Sequence, residues 1–292
     1  MSRKFSGAGV ALVTPFDQEM KPDYTAYEKL LTHVSRENGV DYLVVQGTTG
    51  ESVTTTAAEQ ASLLRFTIEH NPRKLPVVYG LGGNNTEAVL DTLRQADLEG
   101  VDAILSVSPA YNKPHQEGIV RHYTTIADAS PVPVILYNVP GRTASNVRAE
   151  TTLRLAEHPN IIATKEASGS LEQAMEISRH KPKDFYLLSG DDMLTVPMMS
   201  VGAEGVISVL ANGFPDLIHD MVHAALKGDF KKASEVAFRL IDMNSLIYEE
   251  SNPVGIKAVL AAKGVCDARV RMPLLPVSED LNKRILQVLD KM

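Results

Sequence analysis

Short apolar runs recur along the first two thirds of the chain, each giving way to a small or polar residue and then to a longer amphipathic stretch. The runs open at Gly9, Asp41, Pro76, Asp102, Val132, Ile161, Phe185 and Gly205, and successive starts lie 20 to 35 residues apart. That spacing leaves room between most pairs for one helix and two short loops. Helical periodicity fills the gaps: Tyr27, Leu30, Leu31 and Val34 share one face before the second run, as do Ala61, Leu64 and Ile68 before the third. The runs are almost continuously apolar, the pattern of parallel strands covered on both sides. Eight such units predict an α/β protein, a (β/α)8 TIM barrel more than an open doubly wound sheet.

After Asn212 the pattern changes. No further strand is predicted, and helices are expected around Leu217–Leu226, Phe230–Glu249 and Pro253–Lys263. The chain divides on this reading into a catalytic barrel, residues 1–226, and a C-terminal helical domain, residues 227–292. Composition narrows the function. Apolar residues make up 44% and charged residues 22% of the 292, the balance of a globular protein with a large core. A net charge of −7 without a basic run argues against nucleic acid. The single cysteine, Cys266, makes neither an internal disulfide nor a zinc cluster and fits a reducing compartment. The N-terminal residues lack the apolar core of a signal peptide, and no run reaches the roughly 20 residues that span a bilayer. The expectation is a cytoplasmic protein, without membrane partners, acting on something small.

In such a barrel the polar residues at the C-terminal ends of the strands are weighed first. Lys165 closes the sixth run, and alternation puts Ile161, Ala163 and Lys165 on one face. An interior amine at the mouth is partly desolvated; its pKa falls and it becomes a nucleophile able to condense with a ketone. The other reading is a lysine paired with a carboxylate at the rim, with adjacent Glu166 facing away. Tyr137 ends the neighbouring run, where a phenol either relays protons or merely reaches water. Gly47-Thr48-Thr49-Gly50-Glu51 offers hydroxyls and backbone N–H groups for a carboxylate, or is simply a turn. Thr54-Thr55-Thr56-Ala57-Ala58-Glu59 reads as a helix start with a capping threonine. Arg142, just past Pro140, either grips a carboxylate in two parallel hydrogen bonds or makes a surface ion pair. Tyr111 falls in a loop, where aromatic residues often mark an interface.

Other chemistries fit poorly. Gly80-Leu81-Gly82-Gly83-Asn84-Asn85 has Asn where a dinucleotide-binding loop needs its third glycine, and no phosphate-binding Gly-Lys-Ser/Thr occurs. His219 and His223 have i, i+4 spacing, but no third ligand is evident, which leaves them as helix-surface histidines. Asp191-Asp192 suits a helix start better than a cation. The remaining histidines do not gather at strand ends, against a metal-dependent aldolase.

An ordered set of motifs covers nearly the whole chain: Thr14-Pro15-Phe16, Gly47 to Ser52, Tyr111-Asn112-Lys113-Pro114, Tyr137-Asn138-Val139-Pro140-Gly141-Arg142-Thr143, Lys165-Glu166-Ala167-Ser168-Gly169, Ser189-Gly190-Asp191-Asp192, Gly205 to Val209 and Asn252-Pro253. It resembles the dihydrodipicolinate synthase and N-acetylneuraminate lyase family, pyruvate-dependent class I aldolases on a (β/α)8 barrel. The resemblance implies that Lys165 forms an imine with pyruvate and that Tyr137, Thr48 and Tyr111 make a proton relay, Tyr111 reaching into a neighbouring subunit. It implies substrate binding by Thr49, Gly190 and the backbone at Ile207. Arg142 looks like the synthase branch, where the arginine holds the carboxylate of L-aspartate 4-semialdehyde in diaminopimelate and lysine synthesis. A homotetramer of two tight dimers is implied, with no metal and no organic cofactor.

The departures concern regulation. Lysine-inhibited relatives of this kind use histidines, a glutamate and a tyrosine at positions matching Ala57, Gln60, Ala88 and Ala110; Ser52 and Asn84 remain. Weak or absent feedback by lysine is the expectation. The rival readings are another aldolase of the family acting on a sugar acid, and a pyruvate-binding scaffold without catalysis.

Overall fold

The computed structural model describes residues 4–292. All eight expected strands form: β1 (Gly7–Ala11), β2 (Tyr42–Val45), β3 (Val77–Gly80), β4 (Ala103–Val107), β5 (Val134–Asn138), β6 (Ile161–Glu166), β7 (Tyr186–Ser189) and β8 (Gly205–Ser208). They pair in sequence order, all parallel, and β8 returns to β1 to close a barrel. Closure needs a very close approach, since a Cβ on Gly205 would lie 2.0 Å from the Gly7 carbonyl oxygen.

The helices are α1 (Tyr24–Val34), α2 (Ala57–Glu69), α3 (Thr86–Gln95), α4 (Gln116–Ala129), the short α5 (Pro140–Thr143), α6 (Ala149–Leu155), α7 (Leu171–His180), α8 (Thr195–Ser200) and α9 (Pro215–Leu226). Beyond the barrel come α10 (Phe230–Glu249), α11 (Val254–Ala262) and α12 (Glu279–Leu289). α12 was not among the expected elements, although it is an amphipathic helix capped by Ser278 that buries Leu281 and Ile285. α9 packs on β1 and β8 as the last barrel helix, and α10 runs along α9 and touches α8.

Two apolar layers result. One fills the barrel interior with Tyr42, Val44, Val78, Ile135, Ala163, Leu188 and Ile207, among others. Phe5 plugs its N-terminal end, edge-on to Tyr42 and Tyr186. The other layer lies between strands and helices. With the bottom plugged, small molecules reach the barrel axis from the C-terminal ends of the strands.

Two details of the sequence reading are corrected. Ile161 does not share the face of Ala163 and Lys165. The pairing of β5 with β6 jumps from Val134 opposite Ile161 to Ile135 opposite Ala163. This bulge turns Ile161 out toward the helices and Ile162 in toward the barrel interior. The face of α2 is also rotated: Leu63, Leu64 and Thr67 are buried, while Ala61 is exposed. Tyr27 of α1 fixes that rotation, its hydroxyl lying 2.8 Å from the Thr67 hydroxyl. Ala61 instead lines an 810 Å³ cleft with residues of α2 and α3.

Candidate active site

β6 carries Lys165 up to the barrel mouth, where the residue is buried at 5% exposure. Its Nζ stands 4.3 Å from the centroid of the Tyr137 ring, and Tyr137 is its register partner on β5. Among the described residues no carboxylate pairs with this amine. Glu166 points to the opposite face, as expected, and accepts hydrogen bonds from Asn138 Nδ2, Gln173 Nε2 and the Ser168 N–H at 2.6–3.2 Å. The rim ion pair considered for Lys165 is therefore absent from this arrangement.

Gly190, at the end of β7, forms the opposite wall. A Cβ there would lie 3.1 Å from Lys165 Cγ and Cε and 2.7 Å from the Ala167 Cβ. Only a residue without a side chain lets the lysine stem stand where it does. Ile207 of β8 lies in the same interior layer as Tyr137 and Ala163.

The Thr48–Gly50 turn of 3-10 helix follows β2. Thr48 and Tyr137 line one cavity of about 730 Å³, which extends past Gly80–Asn85 to Ala110. The Thr49 hydroxyl is buried and accepts a hydrogen bond from Asn252 Nδ2 at 3.0 Å, leaving its own proton to donate. The glycines of the Gly80–Gly83 run serve close packing: a Cβ on Gly80 would lie 2.2 Å from the Gln46 carbonyl. The 810 Å³ cleft between α2 and α3 is slightly larger, yet Lys165, Tyr137 and Thr48 lie elsewhere, so it is not the candidate site.

Arg142 sits on α5, exposed and without an ion-pair partner among the described residues. It shares the mouth with Tyr248, a residue the sequence reading did not single out. Tyr248 comes from α10 and is 38% exposed. Its hydroxyl lies among protein atoms, and this desolvation raises its pKa; Asp192 and Asp191 push the same way, while Arg142 opposes them. Tyr111 is 91% exposed, with a left-handed φ of 69° and its N–H bonded to the Thr143 carbonyl at 3.3 Å. It does not line this chain's own cavity.

Asp191 and Asp192 do structural work. Asp191 Oδ1 accepts from the N–H groups of Met193 and Leu194, and Asp192 Oδ2 from those of Val209 and Leu210. The second pair ties the loop after β7 to the loop after β8. Burial raises the Asp192 pKa. A threonine of the Thr54–Thr56 run caps α2 as expected; it is Thr56, in a reciprocal capping box with Glu59.

Sequence reasoning missed the support beneath the site. Glu51 Oε1 lies 2.5 Å from Nζ of Lys257 on α11, with both side chains buried. Lys257 also donates to the Arg269 carbonyl at 2.6 Å, and Glu51 Oε2 accepts from the Arg271 N–H at 2.9 Å. Arg271 in turn grips Glu59 with two nitrogens, at 2.6 and 2.8 Å. The available signal was Glu51 itself, a carboxylate in a run of small uncharged residues directly after a buried strand. Cys266 is buried beside this cluster, and desolvation pushes its thiol up to about 12.

The fold and site define a parallel (β/α)8 barrel that presents a buried amine, unpaired among the described residues, and a phenol at its C-terminal mouth. The model of the dihydrodipicolinate synthetase family matches residues 4–292, and the chain belongs to that family. The protein is 48% identical to the 4-hydroxy-tetrahydrodipicolinate synthase of Cytophaga hutchinsonii over 283 residues, 97% of this chain and 95% of that one. It is 46% identical to the enzyme of the same name from Flavobacterium psychrophilum, covering 96% of each chain. Its structure superposes on dihydrodipicolinate synthase from Aquifex aeolicus with a TM-score of 0.93 at 38% identity, covering 98% of both chains.

Proposed function

We propose that the protein is a 4-hydroxy-tetrahydrodipicolinate synthase, condensing pyruvate with L-aspartate 4-semialdehyde through an imine on Lys165. The observation that carries this reading is the Lys165 amine: buried, without a carboxylate partner among the described residues, and 4.3 Å from the Tyr137 ring. The neutral amine attacks the pyruvate ketone, and loss of water from the carbinolamine gives the imine. The iminium then accepts the electrons of a methyl C–H bond, giving an enamine. Tyr137 and Thr48 pass the protons, with Tyr111 joining from a second subunit. Thr49, Gly190 and the backbone at Ile207 hold pyruvate.

The enamine carbon attacks the aldehyde of the semialdehyde, whose carboxylate Arg142 holds in two parallel hydrogen bonds. The substrate's own amine then displaces Lys165 by transimination and closes the ring, regenerating the free lysine. No metal or organic cofactor is needed, because the protonated imine is the electron sink. The reading places the protein in the cytoplasm, in diaminopimelate and lysine synthesis, as a homotetramer of two tight dimers. It divides the chain at Lys227 into barrel and helical domain; the packing of α9 on β1 and β8 supports this.

Feedback by lysine is expected to be weak. Gln60, Ala88 and Ala110 line the 730 Å³ cavity with Ser52 and Asn84, and Ala57 lies beside the neighbouring cleft. Ser52, Gln60, Asn84, Ala88 and Ala110 are all uncharged, so a bound ammonium meets no carboxylate at these positions. Half-inhibition at submillimolar lysine contradicts this part of the reading.

The test is a coupled assay with pyruvate and aspartate 4-semialdehyde, beside borohydride trapping of pyruvate on the protein. Trapping on Lys165 together with semialdehyde-dependent turnover is expected. Trapping with pyruvate release from a sugar acid instead leaves the imine and overturns the role of Arg142. Absence of trapping overturns the imine.

A further inference from the structure

At the opposite end of the barrel from Lys165, the tertiary structure supplies what the spacing of His219 and His223 lacked. Both histidines are on α9, one turn apart, and their rings stack with centroids 4.0 Å apart. Asp41, the residue before β2, lies against them: its Oδ2 is 2.9 Å from His223 Nε2 and also accepts from the Ala8 N–H at 2.7 Å. One ligand atom from each of the three side chains lies within 4.8 Å of the others, and all three residues are half-buried. The sequence showed no third ligand beside these histidines; Asp41, far away in sequence, stands next to them.

We propose that His219, His223 and Asp41 form a binding site for one divalent transition-metal ion, of the zinc class, at the N-terminal end of the barrel. Two imidazoles and one carboxylate are the donor set such borderline ions prefer, and three protein ligands leave a fourth position for water. The tautomer of His219 is already set. Its Nδ1 donates to the Gly39 carbonyl at 2.8 Å, which turns the Nε2 lone pair away from the backbone and strengthens it as a ligand. At His223 the ion takes the place of the proton now shared with Asp41.

A cleft of about 300 Å³ opens beside the histidines, lined by Asn38, Asp220, Asp229, Lys227 and Lys232, so an ion and its waters reach the site from solvent. The three ligands join α9, the last helix of the barrel, to the segment leading into β2 and, through Ala8, to β1. An ion here clamps the first and last barrel units together. Its consequence is stability of the closed barrel, while the chemistry at Lys165 proceeds without it.

The experiment titrates chelator-treated, full-length protein with Zn2+ against a chromophoric indicator, and with Co2+, whose visible bands report ligand number. One ion per chain and a Zn2+-dependent rise in Tm are expected. Affinity is expected to fall roughly tenfold or more in each of His219→Ala and His223→Gln, with the Tm rise lost. Steady-state activity of both variants matches the parent, so a failure here is separable from a failure of the synthase reading. His219→Ala removes no bond to Asp41 or β1, which keeps the test interpretable should His223→Gln fold poorly. Binding that is unchanged in both variants, or no binding at micromolar Zn2+, overturns the proposal.

Discussion

Lys165 and Lys257 are both buried lysines within the same chain, and their surroundings are opposite. Lys257 is fully buried, salt-bridged to Glu51, bonded to the Arg269 carbonyl and seated over the Phe16 ring at 4.3 Å. Desolvation lowers its pKa, and the Glu51 carboxylate pulls in the other direction. Lys165 has the ring of Tyr137 but no carboxylate and no carbonyl among its described partners. A buried amine held by a carboxylate and a carbonyl is a structural cross-link between the loop after β2 and the C-terminal segment. A buried amine without a carboxylate partner is free to react. Burial alone does not mark a catalytic lysine; the partners decide.

The contrast is broken most sharply by deleting each amine. Lys165→Ala is expected to lower turnover roughly a thousandfold or more and to leave the thermal midpoint nearly unchanged, measured by the coupled assay and by calorimetry. Lys257→Met should do the reverse, costing about 3–5 kcal/mol of stability because Glu51 is left buried and unpaired. Denaturant unfolding measures this. Adding Glu51→Gln should recover part of the loss, and a Lys257 variant of unchanged stability would erase the distinction between the two sites.

Smaller changes sharpen it. Tyr137→Phe should reduce turnover roughly a hundredfold, while borohydride still traps pyruvate slowly on Lys165. Gly190→Ala inserts a Cβ 3.1 Å from the lysine stem. It should cost roughly 1–3 kcal/mol by overpacking and misplace the amine, so that kcat falls more than KM changes. The smallest effect concerns pH. Arg271 holds the Glu59 carboxyl down to about 2, below its ordinary 4.5. A depressed carboxylate contributes stability that is present above the unfolded-state value and lost as pH falls through the folded one. Stability should therefore drop between about pH 4.5 and 2 less steeply in Glu59→Gln than in the parent, as followed by urea midpoints across that range.

Much of this molecule is legible along the chain. Continuous apolar runs at helix-compatible spacing determine eight parallel strands, and the position of Lys165 and Tyr137 at the ends of adjacent runs determines that they meet. The reason is local: strand alternation and the right-handed crossover leave few ways to place them. Alternation failed at Ile161, where a bulge set by pairing with β5 turned one residue outward. The helical face of α2 failed for the same kind of reason, since contact with Tyr27 chose Thr67 over Ala61.

Only the tertiary structure decided which polar residues find partners. Glu51 and Lys257 are 206 residues apart in sequence, and Asp41 and His223 are 182 apart. Periodicity carries no information at such separations; pairs of this kind exist only because barrel closure brings the first units against the last and the C-terminal helices onto the loops. The sequence by itself placed Lys165 on a strand at the barrel mouth. Among the described residues the folded chain left that amine without a carboxylate, gave the other buried lysine Glu51 and the Arg269 carbonyl, and set Asp41 beside the two histidines. Each of these outcomes depends on which atoms lie within about 3 Å, the reach of a hydrogen bond.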